Sequence, residues 1–354
     1  MKGPCKTPGG NQEQEKAAAA VSGRPAGVAE AKEDSSTDSD SDLETTRVAH
    51  GLGEMVKDTH YLGSCWARGG VLPSCFLRQQ SSLELNLRHR GLGPQGAQAL
   101  ASALTSNPHV RRLDLRDNGL CGADVEVLAR ALSKNSSICD VDLSENLLGP
   151  VGAQALCASL MVNQVVQKVQ LAGNHLEKQA AQHLAELLLS HTSLKSLDLS
   201  YNQLSDQAGE ILGPALAENT GLTQLNISWN HLRGPGAIAF AKGLEANIFL
   251  KVLDISYNGL GDSGASAVGD ALKANNVLEE LNMSNNRISA AGALSLGLGL
   301  RVNQTLRILV NIQVNREFDD LASSMKVILP ALCIKTAAHR VEYKKKLLPG
   351  SDPK

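Results

Sequence analysis

The chain has 354 residues and a formal net charge of −2, which is long enough for one elongated domain or two to three average ones. Its near-neutral balance gives no global attraction to nucleic acid or to an anionic membrane, and no apolar run approaches the roughly 18–20 residues of a membrane helix. Seven cysteines without a C-x-x-C pair predict reduced thiols in a cytoplasmic or nuclear protein.

The opening stretch MKGPCKTPGGNQEQEK lacks the apolar core of a secretory signal, and Lys2 stands where myristoylation needs glycine. The ending SDPK is no prenylation box, and without a signal the sequons at Asn135, Asn226, Asn282 and Asn303 carry no weight. Residues 1–48 are mostly Ala, Gly, Ser, Glu and Asp, with Leu43 as the only leucine and no aromatic residue, so they predict a disordered tail. Within it, EDSSTDSDSDLE (33–44) has acids three residues after Ser35, Thr37, Ser39 and Ser41. That spacing makes the four hydroxyls candidates for an acidophilic kinase, each phosphate adding about −1.5 to −2 of charge. A plain solubilising acidic tail explains the same residues. Residues 49–81 read as an N-terminal cap.

GLGPQG, at 91–96, follows an alternating stretch and enters a helical one, and Asp114 follows where a dinucleotide-binding enzyme would place its ribose-binding acid. This is the spelling of a dinucleotide-binding turn. A second copy, GLGDSG, begins at Gly259, and its offset from Gly91 is six periods of 28. Testing that period resolves residues 82–305 into eight units beginning at Ser82, Val110, Ile138, Val166, Leu194, Leu222, Leu250 and Leu278. In each, apolar residues recur three, five and ten positions later, as in Leu194, Leu197, Leu199 and Leu204. The glycines at the turn become Gln203, Ser205 and Ala208 in the fifth unit, which a phosphate cradle would not tolerate. The dinucleotide reading therefore fails. Gly96, Gly152, Gly236, Gly264 and Gly292 instead predict close helix–strand contact.

An asparagine occupies the eighth step of seven units (Asn118, Asn146, Asn174, Asn202, Asn230, Asn258, Asn286), with Arg90 the exception. The second half of each unit has helical spacing, as in Ile211, Leu212, Ala215 and Leu216, and the pairs Leu100/Leu104, Leu128/Leu132 and Leu156/Leu160 repeat it. Another asparagine recurs near each helix end, at 107, 135, 163, 219, 247, 275 and 303, with His191 replacing it once. Its tolerance of the left-handed conformation predicts a helix-closing role.

The pattern L-x-x-L-x-L-x-x-N-x-L with a helical second half resembles leucine-rich repeats of the ribonuclease-inhibitor type. The resemblance implies an α/β horseshoe solenoid, with short parallel strands on the concave face and helices on the convex face. It also implies an asparagine ladder that satisfies backbone groups in the turn after each strand. The flanks YLGSCWARGGVLPSCFLRQQ and EFDDLASSMKVILPALCIKTAAHRVEYKK are similar to those of the leucine-rich repeat-containing 74 family, which implies no particular activity.

In such a fold the second, fourth, sixth and seventh positions of each unit face the concave surface. The seventh row brings Tyr201, Trp229 and Tyr257 together in consecutive repeats, about 5 Å apart. Grouped aromatics of this kind anchor protein interfaces, although the same rings are ordinary repeat spelling. The fourth row carries Asp198, Asn226 and Asp254, whose acidity favours a basic partner. Arg88, Arg112 and Arg116 make the opposite end basic, as a second contact region or a solvated face.

The ninth unit starts at Leu306 and Leu309, but Asn311 falls where a buried leucine belongs and Val314 replaces the ladder asparagine. Residues 306–334 therefore read as an irregular C-terminal cap, as if the tail were joined one repeat early in a shortened isoform. Phe318, Leu321, Met325, Ile328 and Leu332 predict an amphipathic helix over 317–329 within it. Residues 335–354 read as a basic flexible tail.

Nine histidines show no H-x-x-x-H spacing, and the chain has neither a P-loop nor a G-x-S-x-G elbow. Cys121, Cys139 and Cys157 fall inside repeats as core or near-core residues. The reading is a non-enzymatic scaffold for a protein or peptide, with no catalytic residue, metal or cofactor, and no nucleic-acid, membrane or small-molecule partner. The alternative, a GTPase-activating or GTPase-regulating repeat protein such as those acting on Ran, rests on fold resemblance alone.

Overall fold

A computed structural model describes residues 82–310 and the backbone of 333–335, all within one compact unit, His60–Lys354. The expected N-terminal tail with its phosphorylation candidates, the N-terminal cap, the helix over 317–329 and the basic tail beyond Lys335 lie outside the described residues.

Each repeat unit supplies one three-residue strand. The strands are β1 (Glu84–Asn86), β2 (Arg112–Asp114), β3 (Asp140–Asp142), β4 (Lys168–Gln170), β5 (Ser196–Asp198), β6 (Gln224–Asn226), β7 (Val252–Asp254), β8 (Glu280–Asn282), β9 (Ile308–Val310) and β10 (Cys333–Lys335). They form one sheet in chain order, and every pairing is parallel. The period sets the register: Leu197 lies opposite Val169 and Leu225, its equivalents in the units before and after. In β5, β6 and β7 the central strand residue is buried and its neighbours are more exposed, as the pleat requires.

Among the described residues, eight helices return the chain along the other side: α1 (Gly93–Leu104), α2 (Gly122–Leu132), α3 (Gly149–Val162), α4 (Lys178–Ser190), α5 (Asp206–Glu218), α6 (Gly234–Ala246), α7 (Gly261–Ala274) and α8 (Ala290–Leu300). Proline in the first turn of α1, α3 and α6 costs no hydrogen bond there and presets the helical φ. Leu100, Leu104, Leu128, Leu132, Leu156, Leu160, Leu212 and Leu216 are all buried against strand leucines in one continuous core. This architecture is the α/β leucine-rich-repeat solenoid that the resemblance implies.

The eighth-step asparagines form the expected ladder. Asn202 donates from Nδ2 to the carbonyls of Leu171, Leu199 and Ser200, each at 3.0 Å. Its Oδ1 accepts from the backbone N–H groups of Asn174 (2.9 Å) and Leu176 (3.0 Å) in the preceding repeat. One side chain thus satisfies five backbone groups that a non-repeating turn would leave bare.

The helix-end asparagines act differently from expectation. Asn163, Asn219, Asn247 and Asn275 have extended backbone, not left-handed. Their role is a second ladder: Asn247 Nδ2 donates to Leu216 O (2.7 Å) and Asn219 O (3.1 Å), and Oδ1 accepts from Phe249 N and Leu250 N. The orphan carbonyls at one helix end are satisfied by the asparagine of the next repeat.

The glycines also need a correction. Around Gly236 the nearest atoms are backbone of Asp206 in α5, and around Gly292 they belong to Asp262 and Ile288. Gly96, Gly152 and Gly264 meet a leucine of their own strand–helix loop, with Gly122 and Ala237 also close to the latter two. They permit helix–helix and helix–loop approach, not helix–strand contact.

At the C-terminal end, the expected irregular segment begins regularly. Leu306 and Leu309 are buried, and β9 pairs with β8 on one side and β10 on the other. Strand pairing needs only the backbone and these two leucines, so it outlasts the loss of the ladder asparagine. β10 starts at Cys333, where strict continuation of the period from Ile308 would start it at Thr336, so a search at the repeat period misses it.

Candidate partner-binding surface

Position seven, just past each strand, is left-handed in every repeat: His89, Asp117, Glu145, Gly173, Tyr201, Trp229, Tyr257 and Asn285 have φ between 50° and 67°. Glycine or asparagine relieves strain at such a φ, and bulky side chains do so least. The ladder holds the backbone there regardless, since Tyr201 N, Trp229 N and Tyr257 N donate to the carbonyls of Ser228, Ser256 and Ser284. Three aromatic residues nevertheless occupy this position in succession. Their rings stack, Tyr201 on Trp229 at 5.2 Å and 12°, and Trp229 on Tyr257 at 3.8 Å and 10°. Tyr201 and Trp229 remain 59% and 43% exposed and Tyr257 is half-buried, so the stack presents two of its rings openly to solvent.

Position six departs from expectation. Ser144, Ser200, Ser228, Ser256 and Ser284 are buried, so this row contributes little surface where it is serine. The chain turns at position seven, and only the longer Arg88 and Arg116 reach out from position six.

Position four is explained by the turn. Oδ1 of Asn86, Asp114, Asp142, Asp198, Asn226, Asp254 and Asn282 accepts the backbone N–H two residues on, at 2.9–3.3 Å. Aspartate or asparagine is therefore wanted there for local structure. Asp198, Asn226 and Asp254 are half-buried, whereas Asp114 and Asp142 are fully covered.

What covers them is the arginine group. Arg88 Nε meets Asp114 Oδ2 at 2.7 Å and its Nη2 lies 3.6 Å from Asp142. Arg112 bridges Glu84 (3.4 Å), Asp114 (3.7 Å) and Asp140 (3.3 Å), and Arg116 pairs with Glu145. Bonding to Asp114 and to Glu145 raises the Arg88 and Arg116 pKa values above the ordinary guanidinium range. Burial pushes the Asp140 carboxyl up, against the pull of Lys168 and Arg112. The basic end is thus an internal ion-pair network. Sequence alone shows the charges without their partners, which come from strands one and two repeats away.

Among the described residues no group of three His, Cys, Asp or Glu is placed to hold a metal ion, and no helix is long and apolar enough to cross a membrane. Cys157 is buried, and desolvation pushes its thiol up to about 12, while Cys121 and Cys139 are half-buried.

The family model described as Leucine Rich repeat matches residues 106–129, 190–212, 218–241, 246–269 and 274–297, in phase with the structural units. These are leucine-rich repeats. The array is similar to leucine-rich repeat-containing protein 74B of Homo sapiens, 68% identical over 112 residues, which are 32% of this chain and 28% of that protein. The Mus musculus protein of the same name is 62% identical over 112 residues, with the same coverage. The chain therefore spans little more than a quarter of the length of these relatives. Among solved structures, the tropomodulin C-terminal domain of Caenorhabditis elegans is 17% identical and covers 43% of this chain and 92% of its own, at a TM-score of 0.37. That likeness is too slight to carry an argument.

Proposed function

We propose that the leucine-rich repeat array is a non-enzymatic scaffold that holds a protein or peptide on its strand-lined face, with Tyr201, Trp229 and Tyr257 as the anchor. The observation that carries this reading is the three-ring stack at left-handed positions, with Tyr201 and Trp229 exposed and Tyr257 half-buried, where backbone strain disfavours bulky residues. Exposed, pre-stacked aromatics lose little side-chain freedom on binding and supply large contact area. Half-buried Asp198, Asn226 and Asp254 border the stack as a polar rim. No feature of the described residues favours the GTPase-regulating alternative, which a single-turnover GTPase assay against a small panel would test.

The test is quantitative affinity capture from cells. Tyr201→Ala with Trp229→Ala should weaken capture of the main partner by well over tenfold, since a buried interface aromatic contributes about 2 kcal/mol or more. The fold should survive, because the rings lie outside the leucine core. Glu186→Ala with Glu218→Ala, two exposed residues of α4 and α5, should bind as the unmodified chain does. Undiminished capture by a folded aromatic variant would refute the anchor.

A further inference from the structure

The aromatic row stops abruptly at Gly173. Repeat four carries Ala172 and Gly173 at positions six and seven, where its neighbours carry Ser144 and Glu145 on one side and Ser200 and Tyr201 on the other. Trp229 stacks on one face of Tyr201, so the other face is turned toward repeat four. There, the three atoms nearest to a methyl group built on Gly173 belong to Glu145, its Cγ at 3.4 Å and its backbone at 3.6 Å and 3.7 Å. Parallel strands are about 4.8 Å apart, so Tyr201 and Glu145 are separated by roughly 10 Å. That leaves room for one planar group in contact with the ring and with the Glu145 stem. The result is a notch with an aromatic wall, a small floor and, opposite the ring, the stem of Glu145, whose carboxylate is held by Arg116.

The charge on the Tyr201 side of the notch is one-sided. The thirty-two residues at positions two, four, six and seven of the eight repeats include nine carboxylates and four Lys or Arg. All four cations lie in repeats one to four and are paired to carboxylates. In repeats five to eight these positions hold Asp198, Asp254 and Glu280 and no cation.

We propose that the notch beside Tyr201 takes an arginine side chain from a basic segment of the partner protein. A guanidinium is planar enough to extend the ring stack, cationic enough to be drawn to the face of Tyr201, and of the charge that the cation-free acidic positions of repeats five to eight favour. Lysine offers the charge without the plane, and a neutral aromatic offers the plane without the charge. This inference rests on the strand face being the partner surface and adds the chemistry that the partner presents there.

The probe is a short Gly-Ser peptide carrying one arginine, compared with its lysine and citrulline counterparts. Binding is read from Trp229 fluorescence in the full chain carrying Trp66→Phe. The arginine peptide should bind roughly tenfold tighter than either counterpart, a difference the ring and charge together can supply. Gly173→Asn keeps a residue that tolerates the left-handed backbone while filling the notch, and should abolish the preference. Tyr201→Leu removes the ring face and should abolish it too. Equal affinity for the three peptides, no binding of any, or an arginine preference that survives both substitutions overturns the proposal. If the notch fails while partner capture still needs Tyr201 and Trp229, the strand-face reading stands alone. If neither matters, both fall.

Discussion

His191 shows how much one repeat position demands. It replaces the helix-end asparagine and is 1% exposed. Its Nδ1 accepts from Leu194 N–H at 3.0 Å, so the ring proton sits on Nε2, which donates to Asn163 O at 3.1 Å. The imidazole thus imitates both ends of an asparagine amide, provided that it stays neutral. Burial holds its pKa below the ordinary histidine value, against the hydrogen bond to Asn163. The unfolded chain then binds a proton that the folded chain refuses. The stability contributed by neutral His191 is fully present above the unfolded value, about 6.5, and falls away as pH drops below it, at most about 1.4 kcal/mol per pH unit. Urea midpoints should therefore decline from pH 7.5 to pH 5 more steeply in the native chain than in His191→Asn, which restores the uncharged spelling. Parallel declines would mean that His191 is not the group responsible.

At the scale of the strand and its turn, neighbouring residues carry very different loads. Leu199, just beyond β5, is 1% exposed in the core, so Leu199→Ala should cost roughly 2–5 kcal/mol. Asp198 is half-buried and its Oδ1 holds Ser200 N–H at 2.9 Å, so Asp198→Ala should cost about 0.5–1.5 kcal/mol, the worth of one such bond. Equal losses in chemical denaturation would contradict this assignment of inside and outside. The alternation and the leucine rows are legible in the sequence because a parallel repeat stacks each residue on its own equivalent, and burial selects the same type each time. The Asn202 ladder is legible for the same reason. The helix-end asparagines are legible as a row but not in their role. Asparagine serves either a left-handed backbone or a side-chain bridge, and only Asn247 Nδ2 reaching Leu216 O tells them apart. The pairing of Arg88 with Asp114 depends on a rotamer crossing between strands, which residue types do not encode.

For the array as a whole, stability is spread over repeat–repeat interfaces, so the tightest interfaces are where cooperativity is decided. Two interfaces are closest at their glycines, α7 with α8 at Gly269 and Gly299, and α5 with α6. A methyl group built on Gly243 would overlap Gly213 O and lie 2.8 Å and 3.0 Å from the Gly213 carbonyl carbon and Cα; one on Gly213 would collide with Ala239 O in return. Helix propensity and packing make opposite predictions for Gly243→Ala. Alanine in a helix interior is favoured over glycine by about 1 kcal/mol, so an isolated α6 would gain. Here the obstructing atoms are backbone, which cannot rotate aside, and overpacking of this kind costs about 1–3 kcal/mol. The substitution should therefore destabilise the chain, whereas Lys242→Ala, one residue away and exposed, should be nearly neutral. Hydrogen exchange should locate the loss. Protection should fall first where β5 and β6 meet, at the amides of Leu199, Thr223 and Gln224 that bridge the two repeats, before it falls in β2 or β3. A Gly243→Ala chain that melts higher than the native one would show that α5 and α6 can part without loss.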